Sequence, residues 1–244
     1  MRVYGLTDRG VIRSENQDCF RSDLRGDGEL LTLVLCDGMG GALAGSVASA
    51  LAADTFLYHA ANSLDESSTS DDLHKILRDA VNYANIKVYD RAFADFSCMG
   101  MGSTLVGLLA NSKRACVANV GDSRAYLVTK RKAQQITNDH SLVAELVEQK
   151  KITRAEARNH PQKNIITRAV GVEASVSADL FDVKLGADAR LLLCSDGLSN
   201  VVTDEEIRLV CSNNDDIERA CSTLLDLALK RGAPDNVTAV LVER

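Results

Sequence analysis

Five aspartates sit at the ends of strand-like apolar runs, and carboxylates gathered there would do their chemistry through cations. LLTLVLCDGMGG places Asp37-Gly38 after one run, and ARLLLCSDGLSN places Asp196-Gly197 after another. RACVANVGDSR ends in Gly121-Asp122, Pro234-Asp235-Asn236 precedes VTAVLV, and the N-terminal segment carries Glu15-Asn16-Gln17-Asp18. A single Asp-Gly reads as a turn, with Asp tolerating the bend and Gly supplying positive φ. Five such positions need a stronger account. Carboxylates at the lip of a low-dielectric core repel one another and lose hydration unless cations neutralise them, so bound metal is expected. An all-oxygen set without clustered histidine or cysteine suits magnesium or manganese rather than zinc or copper. Calcium fits less well, since no D-x-[DN]-x-[DN]-G loop with a distal glutamate is present. The missing Cβ at Gly38 would let its backbone carbonyl approach an ion.

Other chemistries fail on spacing. The cluster Gly38-Met39-Gly40-Gly41 lacks the G-K-[ST] of a phosphate-binding loop, and the dinucleotide fingerprint would need Gly or Ala where Leu43 stands. That loop is expected to serve an ion and an anion instead. Nucleophilic cysteine chemistry of the C-x5-R type is excluded locally, because Cys98 heads no such loop.

The elements that must position these aspartates are legible in outline. Apolar, β-favouring runs predict strands over 30–36, 103–109, 115–120, 124–128, 190–194 and 237–242. Helical spacing covers 45–61 and 71–94, the second with a stripe through Leu73, Ile76, Leu77, Ala80, Val81, Ala84 and Val88. Shorter helices follow Ser141, Thr153 and Thr203, the last two with capping boxes to Glu156 and Glu206, and a closing helix spans 216–230. Paired helices followed by consecutive strands favour α+β with largely antiparallel sheets over a doubly wound fold.

With 45% hydrophobic residues the chain of 244 can bury one sizeable core, so a single domain over 1–244 is expected. The net charge of -6, without any basic run, argues against nucleic acid or an anionic membrane. No stretch reaches bilayer length and the N-terminus lacks a signal-peptide core, so a cytoplasmic protein is expected. Seven cysteines, none in a C-x-x-C pair, read as reduced core thiols.

The motifs in order are TDRGVIRSENQD, VLCDGMGG, GSTLVG, ANVGDSRAYL, ITNDHS, ITRAVG, CSDGLSN and APDNVTAV. Together they resemble the metal-dependent type 2C family of protein serine/threonine phosphatases, in particular its compact bacterial members. The resemblance runs nearly end to end. It implies a central antiparallel β-sandwich with a helix pair on each outer face, and a helical flap over about 141–165 beside the active site. It also implies two core Mn2+ or Mg2+ ions bridged by Asp37. Asp196 and Asp235 would complete one ion's protein ligands, the Gly38 carbonyl would serve the other, and Asp18 would act directly or through water. Asp122 with Asp196 would hold a third, weaker ion, and Arg13 would grip phosphate with its guanidinium fork.

The implied reaction is attack on phosphorus by a water bridging two ions roughly 3.5–4 Å apart, without a phosphoenzyme. Catalysis would then rest on Arg13, Asp37 and Asp196. Many relatives carry a histidine at the positions of Met39 or Ala42, which cannot give a proton here; a metal-bound water is the expected acid, with His160 next. His59 and His74 fall within helices, where packing or surface roles are expected. The expected substrates are phosphoproteins, made by a membrane-anchored serine/threonine kinase, and the expected state is a monomer. The alternative is a dedicated phosphatase of an anti-sigma-antagonist switch. It is disfavoured because such enzymes carry sensory or membrane domains ahead of the catalytic unit, whereas here the catalytic motif comes almost at once.

Overall fold

The computed structural model describes residues 1–244, apart from the side chains of Ala42 and Leu43. The described residues form strands β1 (Arg2–Asp8), β2 (Asp18–Arg25), β3 (Leu30–Met39), β4 (Gly102–Ser103), β5 (Leu105–Ala110), β6 (Ala115–Val120), β7 (Arg124–Val128), β8 (Ala133–Gln135), β9 (Asp179–Val183), β10 (Arg190–Cys194) and β11 (Val237–Glu243). The helices are α1 (Gly41–Ser63), α2 (Ser70–Ala94), α3 (Leu142–Glu148), α4 (Arg154–Arg158), α5 (Asp196–Ser199), α6 (Asp204–Asn213) and α7 (Ile217–Lys230). One sheet has the order β1-β11-β10-β7-β8 and the other β2-β3-β5-β6-β9, with β4 beside β3. All pairings are antiparallel.

The side-chain period of two builds the layers. Along β3, Leu31, Leu33 and Leu35 point into the core between the sheets, while Leu30, Val34 and Cys36 face α1 and α2. A third core lies between the other sheet and α6 and α7, where Leu192, Leu241 and Ala239 meet Ile207, Ala220 and Leu224. The result is the α-β-β-α sandwich that the family resemblance implies. Phe56 of α1 packs over Gly107 of β5, where a Cβ would stand 2.4 Å from the ring.

Local signals hold with small changes. The capping boxes at Thr153 and Thr203 both form, and a third, Thr69 with Asp72, starts α2. The stripe predicted on α2 is its buried face, joined by Asn85, which accepts from Gly171 N at 2.8 Å. Helix α1 begins at Gly41 rather than at 45. The strand predicted over 103–109 divides at Thr104, which leaves the ladder to donate its N–H to Asp37 O at 2.8 Å. The predicted flap is the pair α3–α4, its ends joined by the Ser141–Ile166 bridge. All seven cysteines are free and buried.

Candidate metal centre

Strand parity decides where the aspartates meet. Strands β3 and β6 are both antiparallel to β5, so their C-terminal ends lie together, next to the N-terminal end of β2. In the other sheet β10 ends where β11 begins. Asp37, Asp122, Asp18, Asp196 and Asp235 therefore come to one end of the sandwich. Asp18 and Asp37 are cross-strand partners. A cavity of about 380 Å³ opens there, with Asp37, Asp122, Asp196, Asp235, Arg13 and Gly38 in its wall. Asp18 lies behind that wall, 8% exposed.

The aspartates are anchored in different ways. Asp18 Oδ2 accepts from Ser195 Oγ at 2.7 Å and from Thr238 Oγ1 at 2.6 Å, which ties β2 of one sheet to β10 and β11 of the other. Asp37 N donates to Thr104 Oγ1 at 2.9 Å, and Thr104 Oγ1 is 2.8 Å from Ser123 Oγ, next to Asp122. Asp196 Oδ2 accepts from Asn200 Nδ2 at 2.9 Å. Asp235 Oδ2 accepts from Arg13 at 2.7 Å, so the guanidinium faces a carboxylate of the site itself.

The two Asp-Gly pairs are not turns. Gly38 lies in β3 and Gly197 in α5, neither with positive φ. A Cβ on Gly38 would stand 1.9 Å from Gly45 O, and one on Gly197 would stand 1.9 Å from Asn236 O. Close backbone approach, not turn geometry, requires these glycines. Gly121 does take positive φ, at 103°, packed against Thr104.

The electrostatics match the reasoning that pointed to cations. Burial pushes the Asp18 carboxyl up to about 7, with Asp196 and Asp235 adding repulsion. Burial and the charge of Asp18 raise Asp37 well above the carboxylate range. Asp122 is pushed up to about 8 by burial and then Asp196, and Asp196 to about 6 by burial and then Asp235. One oxygen on each of Asp18, Asp122 and Asp196 is buried without any hydrogen-bond partner. Orphaned carboxylate oxygens cost several kcal/mol if ionised and unpaired, on the order of the penalty for a buried charge. A hard divalent ion is the kind of partner that such orphaned carboxylate oxygens fit.

Several residues of the centre were not legible in the sequence. Ser195 and Thr238 carry the hydroxyls that aim the Asp18 carboxylate, and Thr104 holds the backbone N–H of Asp37; polar residues within or beside otherwise apolar strands are the available signal. Asn236, 4% exposed, accepts from Gln17 N and donates to Arg9 O and Glu15 O, fixing the loop that carries Arg13. Arg124, bound to Asp139 at 2.7 Å, lowers the proton affinity of Asp122 and Asp196. His140 Nδ1 accepts from Gly121 N at 3.0 Å, bracing the turn before Asp122, and burial lowers its pKa. From the flap region, Asn164 and Ile166 reach the cavity. Met39 lines it too, whereas His160, whose Nδ1 accepts from Gln162 N at 3.2 Å, does not. The Ala42 side chain lies outside the described residues.

Comparison with known proteins gives this arrangement a family. The profile of protein phosphatase 2C matches residues 20–237. The chain is 37% identical over 244 residues to the serine/threonine phosphatase stp of Listeria monocytogenes, covering all of this chain and 96% of that protein. It is 35% identical to the protein phosphatase PhpP of Streptococcus pneumoniae, covering 99% and 97%. Its fold superposes on the crystal structure of the serine/threonine phosphatase Stp1 from Staphylococcus aureus with a TM-score of 0.91, at 38% identity over 99% of this chain and 94% of that one. With the profile spanning most of the sequence and these relatives aligned along nearly all of it, the chain belongs to the protein phosphatase 2C family.

Proposed function

We propose that the chain hydrolyses phosphoserine and phosphothreonine esters in proteins by direct attack of a metal-held water at the aspartate end of the sandwich. Family membership makes it a serine/threonine protein phosphatase. The observation that carries the finer reading is the set of orphaned, buried carboxylate oxygens on Asp18, Asp122 and Asp196, brought by both sheets to one end of the sandwich.

In this reading Asp37 would hold two Mn2+ or Mg2+ ions, with Asp196 and Asp235 on one and the Gly38 carbonyl on the other. Asp18 would act directly or through water, and Asp122 with Asp196 would hold a third, weaker ion. Such ions supply a water acidic enough to act as nucleophile at neutral pH, and neutralise charge developing on phosphoryl oxygens. The chain's own residues do the rest. Ser195 and Thr238 fix the Asp18 carboxylate and Thr104 the main chain at Asp37 in advance, which limits the reorganisation that accompanies the reaction. Arg13 is long and half exposed, and its fork can leave Asp235 for two phosphate oxygens, orienting the ester in the cavity. With Met39 on the wall and His160 off it, the leaving alkoxide takes its proton from solvent in the centre rather than from a histidine.

We place the substrates among phosphoproteins made by a bacterial serine/threonine kinase, and the working unit as one domain over 1–244, in the cytoplasm. No helix among the described residues is long and apolar enough to cross a membrane. The anti-sigma-antagonist alternative has no observation in its favour. The test is phosphate release from a phosphothreonine peptide with manganese and with chelator, for the natural chain and Asp37→Asn. Turnover by the natural chain only with metal, and none by Asp37→Asn, is expected; activity in chelator, or in Asp37→Asn at saturating manganese, refutes the reading.

A further inference from the structure

A second group of metal-competent side chains stands apart from the aspartates and has a different chemistry. Cys116 is the second residue of β6, at the opposite end of that strand from Asp122. Its register partner on the edge strand β9 is Asp182. The Cys116 side chain belongs to the core under α2, and His74 descends from the first turns of α2 onto the same face. A ring nitrogen of His74, Cys116 Sγ and a carboxylate oxygen of Asp182 all lie within 4.8 Å of one another.

Two details separate this trio from ordinary polar packing. Cys116 Sγ is 2.8 Å and His74 Nε2 is 3.2 Å from the same oxygen, Asp182 Oδ1. Yet His74 Nε2, buried as an atom, makes no well-directed hydrogen bond, so its lone pair or proton is not aimed at that oxygen. Ligands around a tetrahedral zinc-class ion, with bonds of about 2.0–2.3 Å, stand roughly 3.3–3.8 Å apart. Side-chain rotations of less than about 1 Å would bring the trio to that spacing. Access is available, because Asp182 is 60% and His74 25% exposed, while the thiol behind them is buried.

We propose that His74, Cys116 and Asp182 form a second, softer metal site that takes one zinc-class divalent transition ion and clamps edge strand β9 to α2 across β6. One nitrogen, one sulfur and one oxygen discriminate against magnesium and manganese and favour zinc or cobalt, the reverse of the all-oxygen centre. Water completes the shell on the exposed side of Asp182. Ligation converts the Cys116 thiol to thiolate and releases its proton to solvent; burial pushes that thiol up, so binding strengthens as pH rises. Ion binding stabilises the fold by mass action and pins the strand that follows the flap region. The site is independent of the reading of the aspartate centre.

The experiment titrates cobalt into the metal-free full chain, with saturating magnesium throughout to occupy the oxygen centre. One cobalt per chain with a near-ultraviolet thiolate charge-transfer band is expected, displaced by zinc. Cys116→Ser should abolish the band, and His74→Gln, at a partly exposed helical position, should weaken cobalt binding by roughly tenfold or more. Zinc should raise the melting temperature of the natural chain more than that of His74→Gln, which keeps the test valid if the buried serine variant fails to fold. A cobalt spectrum without a thiolate band, or a band unchanged in His74→Gln, overturns the proposal and leaves a hydrogen-bonded trio only.

Discussion

Asp18→Asn should make the metal-free protein more stable at alkaline pH, a reversal of what removing a buried hydrogen-bonded side chain ordinarily does. The folded-state pKa, about 7, lies above the ordinary value of 3.8, so the folded chain holds this proton more tightly than the unfolded chain. Stability from this group is therefore complete below about pH 4 and is lost as pH rises to 7. At about 1.4 kcal/mol for each tenfold change in proton affinity the full loss is ~4 kcal/mol, of which ~2–3 kcal/mol falls between pH 5 and pH 8. Asp18 is 8% exposed, so solvent screening takes little from that figure. Asparagine is nearly isosteric, and its carbonyl can accept both hydroxyl donors, Ser195 and Thr238, that Asp18 Oδ2 accepts from now. The same substitution relieves Asp37, which the charge of Asp18 pushes further up.

Urea unfolding in chelator at pH 5 and pH 8 measures the effect, with Asp18→Asn gaining on the natural chain by ~2 kcal/mol or more over that interval. Manganese should reverse the order at pH 8 by stabilising the natural chain more. A difference between the two proteins that does not change with pH, or a variant that loses ground at pH 8 in chelator, would show that Asp18 is not held at the expense of its charge.

Three further outcomes test other parts of the centre. Arg13→Ala should raise KM for a phosphopeptide by roughly tenfold, while calorimetric manganese affinity stays level or improves, since Asp235 loses a competing cation; a large fall in metal affinity would mean that the arginine holds the site together. Asp122→Ala should lower kcat far more for a phosphopeptide than for p-nitrophenyl phosphate, whose phenolate leaves with little help; equal losses would point to general damage and no loss to a third ion outside catalysis. Gly38→Ala puts a Cβ 1.9 Å from Gly45 O, so α1 must move away from β3. Stability should drop by about 1–3 kcal/mol, the usual range for overpacking, with manganese affinity falling alongside. A melting temperature unchanged from the natural chain would refute the close-approach account.

What the sequence by itself determined follows solvent exposure closely. The runs predicted as strands became the interior strands β3, β5, β6, β7, β10 and β11, with β4 split from the run of β5; most of these are buried on both faces and so are written as continuous apolar segments. The strands that went unread are β1, β2, β8 and β9, the edges of the two sheets. Half-solvated edges such as RVYGLTD and DCFRSDLR mix charges with apolar residues and carry no periodic run to read. The starts of α4 and α6 were legible because a capping box is a local bargain between residues three apart. The aspartates, too, were visible at strand ends.

That the aspartates share one end was decided only by strand order and direction, which pair Asp18 with Asp37 and bring β10 beside β11. The hydroxyls of Thr104, Ser195 and Thr238, the Arg13–Asp235 pair, and the meeting of His74, Cys116 and Asp182 join residues up to 222 positions apart. No local spacing encodes such contacts, because they exist only once two hydrophobic faces have closed on a common core and carried their strand ends together.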